Sequence, residues 1–281
     1  MAGEVLLTPD PNARRQVWLY RETPQGWQRD ASPVARDMSS LGLEVVEGEL
    51  WLTGLCWWPG CGSEEEMRRR QREGPLLFGV ATRDLESWRP LQWRLKGAGD
   101  LTPIDPEVRV GRGGGVELWY YGVRGTAHAD PMGNGQHEIH VADLREGNFH
   151  ERGLALRERG VGDPAPLLFN GEQLLFATTE AARRSALYRL DEEGRTEKLR
   201  EFDGISVPYA FVRDGELWLL ASKIVEGRQT PVLSRSRDGR SFTEFEEIFS
   251  ISGLRGCSSP VGAEVAGQTV IFCVEEPTLP G

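Results

Sequence analysis

The stretch VRDGELWLLAS, Val212–Ser222, has a near twin in VEGELWLTG, Val46–Gly54, so Gly-Glu-Leu-Trp is written twice in one chain. A glycine that opens an apolar run marks a tight hairpin turn followed by a strand, because glycine takes the positive φ such turns need. Upstream of the turn, Pro208 precedes Gly215, and the same interval separates Pro164 from Gly171 and Pro260 from Gly267. Leu41 holds the proline's place before Gly48, and Pro106 leads into a longer glycine-rich turn at Gly113–Gly115. These are five copies of one strand–turn–strand unit. On the second strand Leu217 and Leu219 alternate with Trp218 and Leu220, so both faces are apolar, as in a sheet covered on both sides.

A second hairpin signal follows each of the first four copies. Asp84-Leu85 precedes Trp88, Asp143-Leu144 precedes Phe149, Asp191 precedes Gly194, and Asp238-Gly239 precedes Phe242. An aspartate here is expected to cap the turn through its side chain while an aromatic opens the next strand. The last copy has no second hairpin, but RRQVWLYRETPQGWQRD, Arg14–Asp30, reads as strand, turn and strand. It supplies the missing outer strands and leaves no long free edge.

The fold expected is therefore all-β, a five-bladed β-propeller in one domain, with the last blade closed by N-terminal outer strands and C-terminal inner strands. Its blades span 36–96, 101–156, 161–202 and 205–250, and the fifth joins 255–281 to 5–33.

Bulk properties narrow the function. The chain has 281 residues and a formal charge of −10, and its densest basic cluster, Met67–Arg72, directly follows Glu64–Glu66. A nucleic-acid partner is not expected, since phosphate binding needs a basic face. No apolar run is long enough to span a membrane, and the N-terminus lacks the pattern of a secretory signal, so the chain reads as cytoplasmic. Cys56, Cys61, Cys257 and Cys273 form neither a disulfide framework nor a zinc-ligand set and read as buried or idle thiols. The glycine-rich GRGGGVELW feeds a strand rather than a helix, which argues against a nucleotide; no cofactor and no metal are expected. The sequence carries no signal of oligomeric state.

In a propeller the first strand of each blade lines the central channel. The residue before the aligned proline is Ser40, Asp105, Asp163, Val207 or Ser259, so two carboxylates converge on one axis. Two residues further along stand Gly42, Glu107, Ala165, Tyr209 and Val261. Arg36 and Arg255 lie close to first-strand starts. Two insertions are expected to rim one mouth. Cys56–Pro75 carries Trp57 and Trp58, a candidate stacking platform for a sugar or another ring, and reads as a short helix. Val123–His140 carries His128, His137 and His140; alternation sends His137 and His140 to opposite strand faces, so a single histidine near the channel is the better expectation than a metal pair.

IDPEVRVGRGGGVELWYYG, Ile104–Gly122, resembles the second-blade segment of family 43 glycoside hydrolases, and ATRDLESWRPLQW, Ala81–Trp93, is similar to their recurring outer hairpin. The resemblance extends to the whole ring and implies a carbohydrate-active site in the funnel. In that family a base in the first blade, a proton-tuning Asp in the second and an acid Glu in the third act together. Asp105 matches the second. At the base position the repeat places Ser40, with Asp37 just upstream; at the acid position it places Gly162, with Asp163 beside it.

The site expected from these readings has Asp105, Asp163 and Asp37 as catalytic carboxyls. Ser40, Glu107, Tyr209, Ser259, Trp57, Trp58, His128, His137 and Arg255 are expected around a small-molecule or glycan ligand. The function classes that fit are a glycoside hydrolase-like propeller, a non-catalytic ligand-binding relative, and a small-molecule lyase or cyclase using the same funnel.

Overall fold

The structure, a computed structural model, describes residues 15–36, 38–56, 76–99, 101–124, 136–179, 184–226, 228–249, 254–265 and 267–277. Among them there is no helix. The strands pair into successive antiparallel runs. The first run is β4 (Met38–Val46), β5 (Glu49–Cys56), β6 (Leu76–Thr82) and β7 (Arg89–Lys96). The second is β8 (Leu101–Val110), β9 (Val116–Arg124), β10 (Gln136–Arg145) and β11 (Asn148–Arg159). The third is β12 (Gly162–Phe169), β13 (Glu172–Thr179), β14 (Arg184–Leu190) and β15 (Thr196–Asp203). The fourth is β16 (Ile205–Arg213), β17 (Glu216–Val225) and β18 (Arg228–Ser236), with only β19 (Glu246–Glu247) outside it.

The fifth run joins the chain ends. Strands β20 (Leu254–Val265) and β21 (Gln268–Pro277) continue into β1 (Gln16–Thr23) and β2 (Gly26–Arg29), with β3 (Ala35–Arg36) beside β1. Two ties to one buried carboxylate lock this join. Tyr20 Oη and Arg29 Nη1 both donate to the buried Glu275 carboxylate, the latter at 2.7 Å. The first strands then make a closed circuit: β4 packs on β8, β8 on β12, β12 on β16, β16 on β20, and β20 back on β4. This is a β-propeller, and each run is apolar on both faces because each is covered on both. Alternation within the opening stretch shows it. Leu217, Leu219 and Ala221 join a core shared with the third run, whereas Trp218 and Leu220 face the fifth.

The first hairpins turn on pairs of left-handed residues, Glu47-Gly48, Asn170-Gly171 and Asp214-Gly215, the geometry that matches strand twist. In the second hairpins, Asp84, Asp191 and Asp238 each accept from two backbone amides. Asp143 does not behave as expected. It lies within β10 and pairs with Arg145 and Arg152, while Glu146-Gly147, both at positive φ, make the turn themselves and need no cap.

The cysteines also correct the sequence reading. Cys257 and Cys273 are not idle thiols but a disulfide across β20 and β21, with Cα atoms 5.5 Å apart. Antiparallel pairing sets Cys257 diagonally opposite Cys273, a proximity that counting cysteines does not reveal. No helix among the described residues is long and apolar enough to cross a membrane.

Candidate active site

The register of every first strand breaks at the same place. The breaks fall between Ser39 and Gly42, Ile104 and Glu107, Gly162 and Ala165, Ser206 and Tyr209, and Ser258 and Val261. At each break one residue is left-handed: Ser40 (φ 51°), Asp105 (51°), Asp163 (45°), Val207 (49°) and Ser259 (48°). These are the five residues aligned by the repeat. Four precede proline, and none is glycine, so each is held in a disfavoured region at a cost of order 1–3 kcal/mol. A bulge of this kind re-aims a side chain and is frequent beside active sites. The bulges lie toward the strand ends that β5–β6 and β9–β10 connections leave from, here called the upper mouth; the first hairpin turns mark the lower mouth.

The bulges bring Asp105 and Asp163 into direct contact. Asp105 donates from its carboxyl to Asp163 and accepts from the Asp163 backbone N–H and the Ser40 hydroxyl. Asp163 is held in turn by the hydroxyl of Thr178 on β13, whose oxygen accepts the Val207 N–H at 2.9 Å. Both residues are of intermediate burial. Burial lifts the proton affinity of Asp105 far above the usual carboxylate range, and the neighbouring Asp163 charge adds to it. Burial raises Asp163 too, opposed by the bonds from Thr178 and Asp105. With Asp105 as the donor in their hydrogen bond, the two carboxyls titrate as a unit.

Glu107 and Tyr209 lie below this pair and take part in a different network, centred on Arg109. Glu107 is 3 % exposed and Arg109 6 %. Arg109 Nε meets Glu107 Oε1 at 2.8 Å, an ion pair outside hydrogen-bond alignment. Its Nη1 donates to Tyr209 Oη at 3.1 Å and its Nη2 to the Ala210 carbonyl at 3.0 Å. The guanidinium also stacks over the Tyr209 ring at 4.4 Å. Burial pushes the Glu107 carboxyl up to about 8 despite Arg109. Gly42 makes room for this cluster: a Cβ there would fall 2.6 Å from Glu107 Oε2 and 2.9 Å from the Pro106 carbonyl.

Ser259 completes the ring of bulges. His137 is buried against Tyr121, with ring centroids 5.2 Å apart. His140 faces the other way, stacks on Tyr120 at 5.6 Å, and lies between Glu151 (2.8 Å) and Glu138 (3.1 Å). Burial opposes its charge, but the two carboxylates outweigh that and raise its proton affinity. Arg255 lies in β20, but its side chain, like Asp37, Trp57, Trp58 and His128, is outside the described residues. Gly162 has a non-left-handed backbone, and a Cβ there would meet only Tyr121 Cδ1, at 3.9 Å. No group of three or more metal-ligating side chains occurs among the described residues.

Thr178 and Arg109 were not singled out from the sequence. Thr178 and Ser222 each stand at one interval after their hairpin glycine, a hydroxyl in an otherwise apolar strand, and that shared position was a usable signal. Glu107 and Arg109 sit two apart on one strand face, an opposite-charge pair where an interior strand should be apolar.

No family model and no curated protein matches the chain. Solved structures do. An exo-1,5-α-L-arabinanase from a bovine ruminal metagenomic library is 11 % identical, with TM-score 0.57 over 87 % of this chain and 94 % of that one. The α-L-arabinanase of Cellvibrio cellulosa complexed with arabinohexaose is 12 % identical, with TM-score 0.59 over 85 % of this chain and 87 % of its own. A thermostable family-43 glycoside hydrolase is 9 % identical, with TM-score 0.59 over 87 % and 93 %. At such low identity the likeness is one of architecture, and it gives this chain the β-propeller fold of the family 43 glycoside hydrolases.

Proposed function

We propose that the five runs are five blades of one ring, and that the chain acts on or binds a carbohydrate or glycoside in the central funnel as a glycoside hydrolase-like propeller. The observation that carries this reading is the hydrogen-bonded pair Asp105–Asp163, set on left-handed bulges at the upper mouth. A carboxyl that keeps its proton near neutrality is what a glycosidic leaving oxygen requires. The acid and its partner carboxylate must stand roughly 5–9.5 Å apart to flank the bond. Two carboxyls in contact count as one such group, so Asp105 with Asp163 supplies the proton. Asp37, next to the first residue of β4, is then the second carboxylate, deprotonating water or attacking the sugar. Ser40 and Ser259 line the ring, with His137, His128, Arg255 and the Trp57-Trp58 pair around it, and Glu107 and Tyr209 form its lower wall. The reaction consumes only water.

Release of the aryl group from nitrophenyl α-L-arabinofuranoside and β-D-xyloside, and shortening of arabinohexaose, test this reading. Turnover that Asp105→Asn and Asp37→Asn each reduce at least a hundredfold supports it. Neither turnover nor calorimetric binding with any of the three abandons it.

A second reading, a ligand-binding propeller without turnover, draws on Gly162 and Ser40 at the family's acid and base positions. A longer side chain has space at Gly162. Binding of arabinohexaose without hydrolysis, with hydrolysis appearing in Gly162→Glu, selects that reading.

A further inference from the structure

The channel contains two stacked polar layers built on the same strands. The upper layer runs Ser40 on β4, Asp105 on β8, Asp163 on β12, Thr178 on β13 and the Val207 N–H on β16. Beneath it, Arg109 on β8 reaches the Leu43 carbonyl of β4 at 3.4 Å and the Ala210 carbonyl of β16 at 3.0 Å. Tyr209 Oη, also on β16, donates to the same Leu43 carbonyl at 2.5 Å. The circuit of first strands separates β16 from both β8 and β4, so these bonds pass through the axis rather than around the wall. Between the layers β8 is in close contact with β4 and β5: Thr53 Oγ1 of β5 donates to the Pro106 carbonyl at 3.5 Å, and only a glycine fits at position 42 of β4.

We propose that Arg109 is the positioning residue of the candidate site: its guanidinium crosses the axis beneath Asp105 and Asp163, fixes β4, β8 and β16 relative to one another, and closes the channel below them. Three strands that carry upper-layer groups are each anchored to this one side chain or its Tyr209 partner within four residues of those groups. Ser40 is followed by Leu43, Asp105 by Arg109, and Val207 by Tyr209 and Ala210. Displacing any of the three changes how Asp105 meets Asp163. The closure makes the funnel blind, so a ligand and its water enter and leave by the upper mouth. A lysine does not replace the arginine, because a single ammonium lacks the planar fork that reaches acceptors on two strands and stacks on Tyr209.

The test needs no substrate, so its outcome is independent of the glycoside reading. Carboxyl resonances of protein labelled with 13C-aspartate are titrated, and the pair is assigned by the signals that Asp105→Asn and Asp163→Asn remove. Arg109→Met, Arg109→Lys and Tyr209→Phe are compared with Arg29→Met, which breaks the distant Glu275 tie. The expected result is at least a tenfold fall in the proton affinity of Asp105 in Arg109→Met. A smaller fall follows in Arg109→Lys and Tyr209→Phe, and no change in Arg29→Met. If Arg109→Met does not fold, Tyr209→Phe, which removes one hydroxyl, decides the matter. An unchanged pair in the folded Arg109 variants, or in Tyr209→Phe when it stands alone, overturns the proposal. An equal change in Arg29→Met also overturns it, since general loosening then accounts for the effect.

Discussion

The two layers of the channel use the same strands in opposite ways. The upper layer crowds like groups: two carboxyls touch, on backbone twisted into the left-handed region. The lower layer joins unlike groups, a guanidinium with a carboxyl, a phenol and two carbonyls, and its side chains are buried. Strain persists only where the surroundings over-determine it. The difference teaches that the buried lower layer bears the constraint while the strained upper layer holds the carboxyl pair. Variants of the two layers should therefore shift stability in opposite directions.

The largest effect is expected below. Arg109→Met takes a charged donor from Tyr209 Oη and from the Ala210 carbonyl, and hydrogen bonds to a charged group contribute about 1.5–3 kcal/mol each. Urea unfolding at pH 7 measures it, and a loss under about 1 kcal/mol would remove the lower layer's structural role. The next effect is on pH. Glu107 has its folded proton affinity raised to about 8, so the folded state holds a proton that the unfolded chain gives up near the ordinary glutamate value. Its contribution to stability is present in full below that ordinary value and is lost as pH rises through about 8. The melting temperature should fall across this window, and Glu107→Gln should flatten the fall.

Above, the sign reverses. Asp105→Asn removes a buried carboxyl whose proton affinity folding raises, yet keeps a donor toward Asp163, so it should stabilise by about 1–2 kcal/mol at pH 7. A destabilised Asp105→Asn would show that the carboxyl pair is structural. The smallest effect is expected at Val207, the one β-branched member of the ring. Val207→Gly relieves its left-handed backbone at some entropic cost, for a net gain of about 0.5–1 kcal/mol read from thermal melts.

Much of this molecule was legible in the sequence because the information is local. Hairpin glycines, alternation and an aspartate cap act between neighbours in the chain, and they led to the propeller fold, to the union of the chain ends and to the set Ser40, Asp105, Asp163, Val207 and Ser259. The same locality explains the miss at Asp143, where two competing turn signals lay within a few residues and the glycine-containing pair prevailed. What the sequence could not supply were meetings across space. Arg109 finds Tyr209 at a separation of 100 residues, and Tyr209 finds Leu43 at 166. Cys257 reaches Cys273 only once β20 and β21 pair. Likewise, a repeat can say that two aspartates share an axis, but not that their carboxyls touch. That contact depends on how far each bulge turns its strand and on the closing of the ring, and only the tertiary structure fixes both.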